Sequence, residues 1–383
     1  MAPVGTILAR LKGLYSKHQG LFLSLALVMM SPHYQCKRLR YAQYGLTGSL
    51  NALKAAAKFQ FLANDTLFQV ALTLLYVVPF YLSPATRPSP SLSRDAPSVI
   101  RARIRVVTLS CITCSLVVLW LIVEKGGSSP SAALTLMGWW PLDLGDILRT
   151  LLLTAILFLG PLYERGIAEG EWRSWFSRTS WSQSLSGWIG WRNYVAGPIT
   201  EEVMFRSALV PLHILARVSP GRIVFLSPLY FGIAHVHHFY EFRLTHPDTP
   251  GLAALLRSLF QFGYTTVFGW YATFVYIRTG SLLAVILAHS FCNWCGLPRL
   301  WGRVEAGEPL GPPLRGKKDE DRNGNTVTVG DGQLGIGWTV AYYVLLVAGA
   351  VGFAWCLYPL TNSYNALVTF DKSTRGQSMR GRN

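Results

Sequence analysis

The sequence predicts an all-α, polytopic membrane protein of about eight transmembrane helices around a polar intramembrane cavity. Three observations predict it. Only 14% of the 383 residues are charged, against about a quarter in an ordinary soluble domain. Half of the chain (51%) is apolar and 13% is aromatic, with 13 Trp. The apolar residues also gather into runs of spanning length, about 17–25 residues each. The same composition excludes a disordered chain, a disulfide mini-protein and a coiled coil. Six Cys, two of them in a C-x-x-C (Cys111, Cys114) inside an apolar run, suggest no disulfide framework.

The runs at 67–83, 104–123, 147–163, 223–240, 253–277, 281–297 and 335–360 each meet the requirement for a span. The run 191–215 also reads as helix of spanning length, yet it carries Glu201, Glu202 and Arg206 in its middle. An N-terminal run, 21–30, is too short to span and reads as an interfacial or signal-like piece. The chain therefore divides into an N-terminal region without assigned structure (1–66), a membrane-embedded core (67–300), a polar loop (301–333), a last transmembrane helix (334–360) and a polar tail (361–383).

The net charge is +16. Without a basic patch in a soluble recognition fold, nucleic acid is excluded as a partner. A polytopic protein acquires such a bias from its cytoplasmic loops. Segment 84–105 has five arginines against Asp95, or +4, whereas segment 124–146 has Lys125 against Glu124, Asp143 and Asp146, or −2. The first is expected on the cytoplasmic side and the second opposite. Proline and Ser-Pro breaks make 84–100 a loop rather than structure. The 301–333 loop, with its 317–322 charge run, reads as solvated.

Ionisable side chains at membrane depth are costly, which makes them functional candidates. The first cluster is Glu201-Glu202 with Arg206. Glu202 and Arg206, four apart, share a helix face, while Glu201 lies about 100° around it. Glu202 is expected to be held by Arg206, and Glu201 to be presented to a cavity. A purely structural ion network is the alternative. The second cluster is Phe231, His235, His237 and His238, next to Glu241 and Arg243. His235 is the functional candidate there, although a lone buried His is often just a satisfied hydrogen-bond partner. Adjacent His237 and His238 project differently, so a three-His metal site within this helix is not expected. The third cluster is His289 and Asn293, one turn apart, with an imidazole and an amide suited to an oxyanion or to interhelical hydrogen bonding. Together they make a water-activation and oxyanion kit. H-E-x-x-H and G-x-S-x-G are both absent, and no cofactor or metal is expected.

E-E-x-x-x-R (Glu201, Glu202, Arg206), F-x-x-x-H (Phe231, His235) and H-x-x-x-N (His289, Asn293) resemble the type II CAAX prenyl endopeptidases, or Ras-converting enzymes. These belong to the wider family of glutamate-dependent intramembrane proteases. The resemblance covers about residues 67–300 and, more loosely, the last helix. It implies a multi-pass endoplasmic-reticulum enzyme, its site accessible from the cytoplasm, that removes the last three residues of prenylated CAAX proteins such as Ras-like GTPases. It also implies that Glu201 and His235 activate water, that His289 and Asn293 stabilise the oxyanion, and that Glu202 and Arg206 support them. The sequence departs from the family in the weak apolar run before residue 67 and in a long 301–333 loop. Two other readings are a non-catalytic membrane scaffold of this family, which predicts the loss of one of the four catalytic positions, and a proton-coupled transporter. The transporter would carry repeated halves with discontinuous helices, and no such symmetry is visible.

Overall fold

A computed structural model of the chain describes residues 66–89, 93–305 and 334–368. The run 21–30, all but the start of the 301–333 loop, and the tail beyond 368 lie outside the described residues. Among the described residues every regular element is a helix. This is the all-α membrane architecture that the apolar runs predict, and all eight apolar runs, seven in the core and the last at 335–360, fall on helix. By length and composition, two helices are apolar enough to cross a membrane, Pro97–Lys125 and Ile336–Leu360, or three with the bent pair Leu144–Leu157 and Leu159–Ala168.

The departures from straight spans have local causes. The run 147–163 is broken at Phe158, where the two parts meet at 80°. Pro161 has no N–H for the carbonyl of Leu157 and its ring clashes with that carbonyl. The last helix fills the break. A Cβ at Gly349 would lie 2.5 Å from the Ile156 carbonyl oxygen and 3.2 Å from that of Leu157, so only a glycine admits this close approach.

The run 223–240 is likewise two helices, Pro220–Ala234 and His237–Thr245. The amide of His235 shortens its bond to Gly232, three residues back. The carbonyl of Phe231, which a continuing helix would use, is taken instead by His235 Nδ1 at 2.8 Å. His237 Nδ1 does the same for Ala234 at 2.6 Å. Side chains that compete for backbone carbonyls end helices in this way.

The 191–215 run is helical from Trp188 to Leu215, but it is wound as π-helix over Arg192–Ala196 and Val203–Ala208. Each wide turn lies just upstream of a proline, Pro198 or Pro211, whose ring displaces the carbonyl four residues back. The 84–100 loop is shorter than expected, because a helix starts at Pro97, where proline suits the first turn. Two further stretches read as loop or left unassigned in the sequence are helical, Pro130–Leu136 and the short helices between Glu171 and Trp191.

Gly349→Ala is expected to lower thermal stability in detergent by about 1–3 kcal/mol, the usual cost of overpacking. Gly221→Ala, where a Cβ meets nothing within 4 Å, should leave the melting temperature unchanged. Equal melting temperatures for both variants would mean that the last helix does not seat in the break at Phe158.

Candidate active site

Arg206 sits at the centre of the first cluster, and it and Glu202 are fully buried. Arg206 Nη1 donates to Glu202 Oε1 at 3.1 Å, and Nη2 to the carbonyl of Gly269 at 3.4 Å. Its guanidinium lies 4.6 Å from the ring centroid of Phe231 and 5.7 Å from that of Phe268, within cation–π range. Gly269 is packed against Pro228, and a Cβ there would come within 2.5 Å of it. The close crossing of Pro220–Ala234 and Gly251–Thr279 therefore brings the Gly269 carbonyl to the guanidinium.

His289 joins this pair from the Leu282–Cys295 helix. Its Nδ1 donates to Glu202 Oε1 at 2.7 Å, and its Nε2 lies 3.7 Å from Glu201 Oε2. One imidazole thus touches both glutamates. The two carboxylates differ sharply in surroundings. Glu202 is saturated on one oxygen by Arg206 and His289, whereas the Glu201 side chain is 19% exposed and accepts no hydrogen bond from the described residues.

His235 stands at the end of its helix, half-buried. Because the carbonyl of Phe231 can only accept, Nδ1 carries the proton and Nε2 is left with its lone pair. The ring of Phe231 neighbours both histidines, with centroids 4.7 Å from His235 and 6.3 Å from His289. Asn293 is exposed, and its Nδ2 donates to the backbone carbonyl of Asn193 at 2.9 Å. One of its two amide hydrogens is therefore engaged, and it ties the third cluster to the wide turn that precedes Glu201. The end of the same helix is held at Trp294, where Arg165 donates to the carbonyl and lies over the indole, and the rings of Trp175 and Trp181 pack against it.

His237 and His238, expected to project apart, are brought together with Glu241. The three offer ligand atoms within 4.8 Å of one another. Glu241 is nevertheless spent on other charges. Arg103 Nη2 lies 2.6 Å from one oxygen, while His238 Nδ1 at 2.9 Å and Arg94 Nη1 at 3.4 Å lie on the other. Two guanidiniums on one carboxylate compete with a cation for it, and the set suits an ion-pair network better than a metal. Arg243, adjacent in sequence, turns away and donates to the Thr249 carbonyl. The sequence reading placed Phe268 near the third cluster without assigning it to the site, and missed Arg94, Arg103 and Asn193. Arg94 and Arg103 come from another segment, and Asn193, in the same run as Glu201, meets Asn293 across helices, so no spacing rule reports on them.

Arg206→Ala is expected to cost about 3–5 kcal/mol of stability, because it leaves Glu202 charged and unpaired in an apolar interior. Thermal unfolding in detergent reads the loss directly. A variant as stable as the wild type would show that Glu202 does not need the guanidinium.

Comparison with known proteins bears on what this site belongs to. The family model described as "Type II CAAX prenyl endopeptidase Rce1-like" matches residues 183–295, which hold all three clusters. The chain is 42% identical over 232 residues to "Probable CAAX prenyl protease 2" of Schizosaccharomyces pombe, covering 61% of this chain and 80% of that one. It is 38% identical over 223 residues to "CAAX prenyl protease 2" of Homo sapiens (56% and 66%), and 34% identical over 249 residues to the protein of that name in Arabidopsis thaliana (61% and 79%). No solved structure matches the chain. On these likenesses the chain belongs to the type II CAAX prenyl endopeptidase family and is a membrane-embedded peptidase of the CAAX-processing kind.

Proposed function

We propose that this chain removes the C-terminal three residues of prenylated CAAX proteins, Ras-like GTPases among them, at the endoplasmic-reticulum membrane from the cytoplasmic side. The observation that carries the mechanism is the contrast between adjacent glutamates. Glu202 has its charge met by Arg206 and His289, while Glu201 is partly open and accepts no hydrogen bond. Glu201 is therefore the carboxylate available to take a proton from water. Nε2 of His235, with its lone pair free, accepts the second hydrogen of that water.

The resulting hydroxide attacks the carbonyl carbon of the peptide bond after the prenylated cysteine. The tetrahedral oxygen is met by His289 in its imidazolium form, whose Nδ1–H stays on Glu202 and whose Nε2–H turns to the oxygen, and by the amide hydrogen of Asn293 that Asn193 does not use. Glu201 then returns its proton to the departing amine, and the C–N bond breaks. Arg206 fixes Glu202, and Glu202 fixes the ring of His289. The bilayer supplies an apolar approach for the prenyl chain that a soluble cleft would lack.

Glu201→Ala is expected to lower cleavage of a prenylated peptide by about 10²–10⁴-fold, the usual contribution of a general base. Folding should be intact, because Glu201 neutralises no buried arginine. Near-normal turnover in a folded variant would remove Glu201 from the mechanism. Asn293→Asp, which keeps the shape but exchanges a donor for an acceptor, should lower kcat by about 10²–10³-fold with little change in KM. A raised KM with kcat preserved would make Asn293 a substrate-positioning residue. Activity should also survive exhaustive chelation; activity lost on stripping and restored by one added metal would overturn the acid–base scheme.

A further inference from the structure

Beside the candidate site, three guanidiniums and two carboxylates form a bridge with unequal ends. Its buried end is Arg103 on Glu241, with side chains 14% and 4% exposed. Its open end is Arg94, Asp95 and Arg192. Asp95 Oδ1 lies 2.7 Å from Arg192 Nη1 and 4.0 Å from Arg94 Nε. Arg192 Nε is held by Asn193 Oδ1 at 2.9 Å. Arg94 Nη1 faces Glu241 Oε2 at 3.4 Å and His238 Nδ1 at 3.5 Å. Nη2 of both Arg94 and Arg192 makes no hydrogen bond to the described residues.

The position of this open end matters. Arg94 touches His238, whose ring lies 6.0 Å from that of His235. Arg192 immediately precedes Asn193, whose carbonyl holds Asn293. The Arg94–Asp95–Arg192 strap therefore runs from the His235 side of the site to the Asn293 side. A strap built only for stability would bury its ions or saturate them. Here the central carboxylate is half exposed, at 51%, and exposed ion pairs contribute little to stability. Asp95 thus bonds closely to Arg192 but only approaches Arg94, at 4.0 Å, in a place where a carboxylate bonded to both guanidiniums would have the better geometry.

We propose that Arg94 and Arg192 form a subsite for the free C-terminal carboxylate of the peptide substrate, which displaces Asp95 when it binds. The proposal rests on the peptidase reading above and extends it. It explains by chemistry how an enzyme counts three residues from a chain end. Three extended residues reach about 10 Å, so a fixed cationic site beside the water-activating groups selects both a free terminus and its distance from the scissile bond.

The test compares a prenylated CAAX peptide bearing a free C-terminus with its C-terminal amide, on the full chain in detergent or nanodiscs. Wild-type kcat/KM is expected to favour the acid by about tenfold or more, the usual weight of a hydrogen bond to a charged group. Arg94→Gln and Arg192→Gln should each lower kcat/KM for the acid about tenfold, chiefly through KM, and leave the amide unchanged. Asp95→Asn removes the resident competitor at an exposed position where folding is not at stake, and should lower KM for the acid alone. Equal wild-type cleavage of acid and amide overturns the subsite. So do arginine variants that damage both peptides alike, which is what a merely structural strap would give, or an Asp95→Asn protein with unchanged KM for the acid. A wild type that cleaves neither peptide overturns the peptidase reading itself, a result distinct from indiscriminate cleavage.

Discussion

A single buried guanidinium pairs with only one of two neighbouring carboxylates, and much of the structure follows from where Arg206 places its charge. In an apolar interior the cost of an unpaired ion is several kcal/mol, so the charge of Arg206 needs partners, and its two terminal nitrogens find them while Nε has none among the described residues. It reaches Glu202 one turn back, the Gly269 carbonyl on another helix, and the faces of Phe231 and Phe268. Each of these partners constrains a helix. Gly269 reaches the guanidinium because that helix packs on Pro228 without a side chain between them. Phe231 is one turn before His235, and the ring of Phe268 packs against that of His289, tilted by 47°, with centroids 4.4 Å apart. Pairing the buried charge and orienting the two histidines are therefore one packing problem.

The helices that solve it are irregular around the candidate site. Straight helices satisfy their own backbone, which suits a membrane but leaves no free carbonyl or loosened turn to aim a side chain. In this chain the wide turns before Pro198 and Pro211 flank the two glutamates. A carbonyl released at the end of Pro220–Ala234 fixes the tautomer of His235. A carbonyl in the first wide turn, that of Asn193, holds Asn293. The deviations supply the polar partners that a regular helix would keep to itself.

How much of this was legible in the sequence depends on the range of each interaction. The apolar runs all fall on helix, because the length needed to cross a bilayer is a property of consecutive residues. The Glu202–Arg206 spacing pointed to a pair for the same reason, since four residues make one turn. The breaks were harder. Pro161 lies inside an apolar run whose hydropathy hides it, and the end of the helix at His235 arises from an imidazole bonding to its own backbone. The segment between Glu171 and Trp191 went unassigned because its short helices carry no span-length run. Five Trp, with Phe176 and others exposed beside Arg173 and Arg178, give it instead the composition of a membrane–water interface. The Arg94, Arg103 and Glu241 network was invisible, because its members lie about 140 residues apart and only the fold brings them together.

The distribution of these polar groups also answers a physical difficulty of hydrolysis within a membrane, which needs both water and an apolar approach for a lipid-modified substrate. Glu202, Arg206 and His289 are buried and turned toward one another, with Arg206 and His289 both on one oxygen of Glu202. Glu201 and His235 are partly open, and beyond them Arg94, Asp95 and Asn293 are exposed. Burial thus falls in steps from the ion pair that holds the site together, through Glu201 and His235, the groups we propose activate water, to a charged rim. A fully buried kit would exclude the nucleophile, and a fully exposed one would leave its ion pair screened and its imidazole unfixed. On the proposed mechanism, the graded arrangement keeps the fixed geometry in the dry layer and the reactants in the wet one. The shared ring of His289, bonded to Glu202 on one side and facing Glu201 on the other, is where the two layers meet.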